Sequence, residues 1–343
     1  MPFAEGIPLL LAARGRRVVM LASGDPFWFG AGASVTRHLA REEWIAHPAP
    51  SSFALAAARL GWAVQDIACL GLHAAPCTRL RPHLAPGRRL LVLVRDGEAV
   101  SDLAHYLAAQ GFGTSTLHVL EALGGPRERV RTVQADGFAL ANVIHPVAIG
   151  IAVAGEGAVL PAVAGRPDTW FDHDGQLTKQ PVRALTLSAL APRPGELLWD
   201  IGAGSGSIGI EWLLAHDANR AIAIEGDAAR ADRARANAAR LGVDRLAVLT
   251  GSAPEVLPEG MPDAVFIGGG LSQHLLEALW ARLPSGIRVV ANAVTLESEA
   301  LLTQWQGTAG GSLLRIELAD AVPLGSRHGW RARYPVVQWS VTR

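Results

Sequence analysis

Apolar positions along the chain keep two rhythms. Short unbroken apolar runs read as buried strands, and longer stretches whose apolar residues recur at helical spacing read as helices. In the second half the two alternate regularly. An apolar run at 197–201 meets a turn carrying Gly202, Gly204 and Gly206. A helix follows at 207–215, with Ile208, Ile210, Leu213 and Leu214 on its inner side. The next run, 221–225, ends in Glu225. Further strands are expected at 246–250, 264–267 and 288–291, and helices at 228–241, 273–283 and 296–306. Two closing extended runs, 313–319 and 336–342, have no helix between them and predict a terminal antiparallel hairpin. The first half reads as a helix at 3–14, strands at 17–22, 44–47, 90–94, 116–120 and 147–153, and helices at 52–60 and 100–110, with Ser51 or Ser52 as a cap. Strands alternating with helices predict a mostly parallel sheet there, so the whole chain is expected to be α/β.

The alternation lapses once. Residues 155–174 hold Gly155, Gly157, Pro161, Gly165 and Pro167 with little periodicity, which places a linker between a first domain at 1–154 and a second at 175–343. Within and beyond it, the polar and aromatic stretch 168–179 leads directly into a helix and is positioned to form a flap across a ligand cleft.

Composition narrows the partners. At 343 residues the chain can hold two sizeable cores. Lys plus Arg and Asp plus Glu each number 31, for zero net charge, which argues against a nucleic-acid partner gripped by its phosphates. Lys179 is the only lysine. Cys69 and Cys77 define neither a disulfide framework nor a zinc site, and the scattered histidines show no metal-ligand spacing, so no metal is expected. The apolar runs within 6–22 are split by Arg14, Arg16 and Arg17, too broken for a signal peptide or membrane span. The expectation is a cytoplasmic protein with no membrane partner, assembled as a homo-oligomer.

The chemistry concentrates at Gly202-Ala203-Gly204-Ser205-Gly206. Glycines let a nucleotide-like ligand approach the backbone, and an acid ending the next strand, Glu225, can accept both hydroxyls of a ribose. The spacing is G-x-G-x-G; Ser207 stands where the dinucleotide fingerprint G-x-G-x-x-G would continue, which disfavours a nicotinamide oxidoreductase. The loop Ser23-Gly24-Asp25-Pro26 ends another expected strand, a place where ligands sit in α/β sheets. No Ser-His-Asp or carboxylate-pair signature is visible, and no catalytic residue is assigned.

These motifs carry a resemblance. The run "VMLASGDP" at 19–26 and "PSSFALAAARLGW" at 50–62 are similar to segments of the tetrapyrrole (corrin/porphyrin) methyltransferases. That family opens with a strand and glycine turn before its counterpart of Phe3, so the first half is expected to be an N-terminally shortened form with no working cofactor site. The second half resembles the C-15-methylating, decarboxylating domain of the precorrin methyltransferases of cobalamin synthesis, through "DGQLTKQPVRALTLSALAPRPGELLWDIGAGSGSIGIEW", "AIAIE", "GSAPE", "DAVFIGGG" and "VVANAVTLES". The resemblance implies a class I S-adenosylmethionine methyltransferase sheet in the second half, preceded by the shortened tetrapyrrole-methyltransferase-like α/β domain. It implies S-adenosylmethionine as cofactor, held by the positions matching Thr178, Gly202, Ala203, Gly204, Ser205, Gly206, Glu225 and Ala253, with Gly24 and Asp25 as counterparts in the first half. It implies a precorrin-type tetrapyrrole as substrate, methylated at C-15, with C-5 as a second position, and decarboxylated at its C-12 acetate. Such a substrate is rich in carboxylates, so Lys179, Arg183, Arg327 and Arg331 are its candidate contacts. An RNA methyltransferase on a related sheet is the alternative, and the neutral charge speaks against it.

Overall fold

The computed structural model describes residues 3–22 and 24–343; Ser23 of the Gly24-Asp25 loop lies outside them. Two compact units divide the chain, one made of residues up to 77 together with 83–159, the other of 78–82 and 160–343.

The first unit contains α1 (Phe3–Ala12), the short α2 (Gly32–Val35), α3 (Ser52–Leu60), β1 (Ile67–Gly71), β2 (Arg89–Leu93), α4 (Gly97–Ala109), β3 (Thr116–Glu121), β4 (Arg129–Gln134) and β5 (Val147–Ala152). Its sheet runs β1-β2-β5-β3-β4. Ser51 caps α3 as expected, its Oγ accepting the Ala54 N–H at 3.1 Å. Phe53, Ala56 and Ala57 on α3 then pack on Leu91 and Leu120 of the sheet.

Two expectations fail in this unit. The sheet is not mostly parallel: only β1 and β2 pair in parallel, while β2–β5, β5–β3 and β3–β4 are antiparallel. Residues 122–128 between β3 and β4 are too few for a crossover, which forces the antiparallel return. Arg129 and Arg131 on β4 reach back to the buried Glu121 carboxylate at 2.6 and 2.8 Å and tie that edge strand down. Nor do 17–22 or 44–47 form strands. Val19 and Leu21 are 78% and 92% exposed. An apolar run becomes a strand only where a neighbour supplies its backbone partners, and among the described residues none lies alongside.

The second unit follows its expected order: α5 (Gln180–Leu190), β6 (Leu197–Ile201), α6 (Ser207–Ala215), β7 (Arg220–Glu225), α7 (Ala228–Arg240), β8 (Ala247–Thr250), β9 (Ala264–Ile267), α8 (Gln273–Arg282), β10 (Arg288–Ala293), α9 (Leu296–Ala309), β11 (Ser312–Ile316), β12 (Ala319–Leu324), β13 (Arg327–Ala332) and β14 (Val336–Thr342). Seven strands line up as β11-β14-β10-β9-β6-β7-β8. The five from β10 to β8 are parallel, and β14 runs antiparallel to both of its neighbours, β10 and β11. The expected terminal pairing is therefore present, although β12 and β13 intervene as a separate two-stranded ribbon. Apolar residues cover both sheet faces. Leu187, Ile208, Ile210 and Ala238 from α5, α6 and α7 fill one side; Leu275, Leu279 and Leu302 from α8 and α9 fill the other with Trp339. The strand order reverses at β6, whose neighbours β7 and β9 follow it in opposite directions. A crevice at the carboxyl ends of such strands is where open α/β sheets take ligands. Among the described residues no helix is long and apolar enough to cross a membrane.

The stretch 155–174 is packed rather than a bare tether. Leu160 and Phe171 enter the second unit's core, and the N–H groups of Gly165 and Arg166 donate to Glu211 at 2.7 and 3.0 Å. Its glycines and prolines show where regular structure stops. They do not show that a carboxylate on α6 awaits these N–H groups.

Candidate functional site

A cavity of about 830 Å³ opens at the carboxyl ends of β6, β7, β9 and β10. Thr178, Lys179, Gly202, Ala203, Gly204, Ser205, Glu225 and Ala253 all line it, so eight sequence candidates converge at one place. They come from the flap before α5, the β6–α6 turn, the end of β7 and the loop after β8. Gly206 is not part of the lining; it caps α6 in a left-handed conformation, φ 77°.

The turn and the acid are joined directly. Glu225 Oε2 accepts the Gly204 N–H at 2.7 Å and Oε1 accepts the Asp227 N–H at 3.0 Å. Glu225 is mostly buried, which leaves its remaining lone pairs as the acceptor that a ribose needs. A Cβ on Gly202 would stand 2.4 Å from the backbone of Gly269, so two glycine loops touch there. A Cβ on Gly204 would meet only the Gln176 carbonyl, at 3.7 Å, and would otherwise project into the cavity. That open cradle, the acid and the glycine turn fit an adenosyl group.

Next to the turn, Asp200 on β6 is fully enclosed. Its Oδ2 accepts the Gly209 N–H at 2.8 Å, and its Oδ1 has no hydrogen-bond partner. Burial pushes this carboxyl up to about 7; the Gly209 bond opposes the shift and the Glu225 charge adds to it.

The flap is held from beneath and from the side. Arg183, expected at the substrate, is instead wholly buried and absent from the cavity lining. Its Nε donates to Glu211 Oε1 at 2.7 Å, its Nη2 to Asp168 Oδ1 at 3.0 Å and its Nη1 to the Thr178 carbonyl. Desolvating an arginine is costly without such partners. Glu211 on α6 supplies the main one, a carboxylate that helical spacing alone does not identify. Arg183 thus holds the Thr178 carbonyl from within the core and does not reach the cavity lining. At the side, Asp174 pairs with Arg230 at 2.8 Å and Arg233 at 3.2 Å. The Arg230 guanidinium beside it holds the Asp174 carboxyl well below the usual carboxylate range. Arg230 itself lines the cavity.

Arg327 and Arg331 lie on β13, and neither lines the cavity. Beyond that strand, Arg333 and Tyr334 do. Arg327, Arg331 and Arg333 share the same strand parity, so what separates them is place along the chain: Arg333 lies past the ribbon, on the segment that leads into β14 beside the cavity. Arg333 is paired with Asp320 at 2.6 Å. Gly24 and Asp25 belong to the other unit and are not among the cavity residues; Asp25 Oδ1 accepts the Phe27 N–H at 2.8 Å, closing a local turn. Sequence reasoning missed Asn292, Arg230, Gln176 and Tyr334, all of which line the cavity. Asn292 carried a signal, as a polar residue inside an apolar strand.

Comparison with known proteins agrees with this geometry. Residues 169–343 match the family model for the precorrin methyltransferase domain, and residues 5–138 match that for tetrapyrrole (corrin/porphyrin) methylases. A precorrin-6Y C(5,15)-methyltransferase (decarboxylating) from Sinorhizobium sp is 52% identical over 348 residues, spanning 100% of this chain and 84% of the relative. One of the same description from Mycobacterium tuberculosis is 40% identical over 337 residues, spanning 97% of this chain and 84% of the relative. The crystal structure of the C-terminal domain of precorrin-6Y C5,15-methyltransferase from Rhodobacter capsulatus superposes with a TM-score of 0.51 at 54% identity, covering 54% of this chain and 100% of that one. The chain belongs to the precorrin-6Y C(5,15)-methyltransferase (decarboxylating) family.

Proposed function

We propose that the second unit methylates a precorrin-type tetrapyrrole at C-15 and removes carbon dioxide from its C-12 acetate, with S-adenosylmethionine as methyl donor. The observation that carries this reading is the convergence of the glycine turn, Glu225 and the flap on one cavity of about 830 Å³. The chain is a methyltransferase of cobalamin synthesis by family, and the cavity is where its parts suit that chemistry.

Glu225 would hold the ribose, and the backbone of Gly202 to Ser205 would lie against the rest of the adenosyl group. Thr178, whose carbonyl Arg183 fixes, would close the cavity from the flap side. When bound, S-adenosylmethionine supplies an electrophilic methyl on a sulfonium, and the positive charge lost at sulfur matches the carboxylate charge lost as carbon dioxide, so the coupled reaction needs no further co-reactant. What remains for the protein is alignment. Holding a carbon nucleophile in line can lower a barrier by ~7–11 kcal/mol without a general base. Lys179, Arg230 and Arg333 give the cavity mouth cationic side chains for a polycarboxylate. We further propose one cofactor site per chain, in this cavity. The test is mass spectrometry of the tetrapyrrole product from the full chain. One methyl gained with one carbon dioxide lost supports the reading. Methylation of RNA with an unchanged tetrapyrrole overturns it.

A further inference from the structure

A buried polar cluster stands behind one wall of the cavity. Asn292 on β10 lies directly opposite Gln338 on β14 in the strand register, and Thr186 on α5 reaches both. Asn292 Nδ2 donates to Thr186 Oγ1 at 2.9 Å. Gln338 Nε2 donates to the same oxygen at 3.0 Å and to Asn292 Oδ1 at 3.0 Å. Thr186 and Gln338 are buried, whereas Asn292 is half-buried and lines the cavity.

Proton accounting fixes which way the Asn292 amide points. The Thr186 hydroxyl gives its single proton to the Val182 carbonyl at 2.9 Å, so its oxygen can only accept from the two amides. Both must present nitrogen to it. Turning the Asn292 amide over would set its oxygen against an oxygen with no proton to give, and its NH₂ against the NH₂ of Gln338. The cluster therefore locks the amide and leaves one Nδ2 N–H outside its own bonding, on the member that faces the cavity. Burying three polar side chains among apolar strands is unfavourable unless each is satisfied, and a satisfied network is rigid.

We propose that Asn292 is a specificity-determining contact to the tetrapyrrole, donating this N–H to the side-chain carboxylate that departs as carbon dioxide, with Thr186 and Gln338 as positioning residues. The inference rests on the function proposed above. In that step the bond to the carboxyl carbon breaks and carbon dioxide leaves; its electron pair passes through the conjugated ring to form the new methyl–carbon bond, while the methyl–sulfur bond of the donor breaks with its pair left on the now neutral sulfur. A cation on that carboxylate would stabilise it most before the bond breaks, and would raise the barrier. A neutral amide orients the same group with a weaker ground-state hold.

The experiment measures turnover of a precorrin substrate and binding of S-adenosylhomocysteine by the full chain and its variants. Asn292→Ala raises KM for the tetrapyrrole on the order of tenfold to a hundredfold, with unchanged S-adenosylhomocysteine affinity. Asn292→Asp sets a second anion against the carboxylate and loses more, with partial recovery as the pH falls. Thr186→Val frees the amide and raises KM less than Asn292→Ala, whereas Thr186→Ser, which keeps all three hydroxyl bonds, restores wild-type KM; a packing defect would not discriminate in this way. The inference is overturned by Asn292→Ala and Thr186→Val enzymes that bind S-adenosylhomocysteine and keep KM and kcat within about twofold of wild type. A cofactor affinity that falls in parallel with turnover also overturns it, because Asn292 would then serve the cofactor. Wild-type protein that binds S-adenosylhomocysteine but converts no tetrapyrrole defeats the proposed function itself, a result distinguishable from the other two.

Discussion

Two loops in this molecule read alike on paper. Each joins an apolar run to a left-handed glycine and an acid: Gly202 to Gly206 with Glu225 in the second unit, Gly24 with Asp25 in the first. Their surroundings differ. The run before Gly202 is β6, paired on both sides by β7 and β9, and its acid comes from the neighbouring strand to bond Gly204. The run before Gly24 has no ladder among the described residues, and there the Asp25 carboxylate accepts the Phe27 N–H two residues on. A glycine-and-acid motif becomes a ligand cradle when the sheet supplies its other walls.

Substituting the two glycines should widen that contrast most. Gly202→Val puts a side chain at φ 68°, with its Cβ 2.4 Å from the Gly269 backbone. We expect a loss above about 4 kcal/mol in thermal unfolding, with cofactor binding abolished. Gly24→Val meets the Ser51 Cα at 3.3 Å, so mainly backbone strain at φ 65° remains, worth about 1–2 kcal/mol. Equal losses would show that the first loop is as tightly enclosed as the second.

The enclosed loop should also carry a pH signature. The folded pKa of Asp200, about 7, lies above its ordinary 3.8. The folded state therefore binds the extra proton between those values. The resulting stability is fully present below pH 4 and is lost as pH rises through 7, at up to about 1.4 kcal/mol per unit. Asp200→Asn keeps an acceptor for the Gly209 N–H and should flatten this slope in denaturant titrations at pH 4 to 8. An unchanged slope would mean that other groups produce it.

Glu225→Ala should weaken S-adenosylhomocysteine binding by ~1.5–3 kcal/mol, about 10- to 150-fold by calorimetry. Undiminished affinity in a folded variant would remove Glu225 from ribose recognition. The smallest effect is expected at Asp25→Ala, which loses one exposed turn bond worth about 0.5–1.5 kcal/mol and leaves calorimetric stoichiometry at one site per chain. Two sites, one of them abolished by this substitution, would erase the distinction between the loops.

The sequence by itself determined the second unit's strand and helix order, the glycine turn, Glu225 and the flap. The turn and its acid belong to one strand–turn–helix–strand unit: periodicity and turn chemistry act within a few residues, and Glu225 ends the strand that follows, 21 residues from Gly204. Only the tertiary structure decided which long-range partner each side chain meets. Arg183 reads as a substrate cation until Glu211, 28 residues on, is seen to bury it. Asn292 falls just past the expected strand 288–291 and goes unread until Thr186 and Gln338, 106 and 46 residues away, are seen to lock it against the cavity. In the first unit the apolar run at 17–22 promised a buried strand, because hydrophobicity states what a segment could bury. Whether another strand lies beside it to accept its hydrogen bonds is settled by the fold alone.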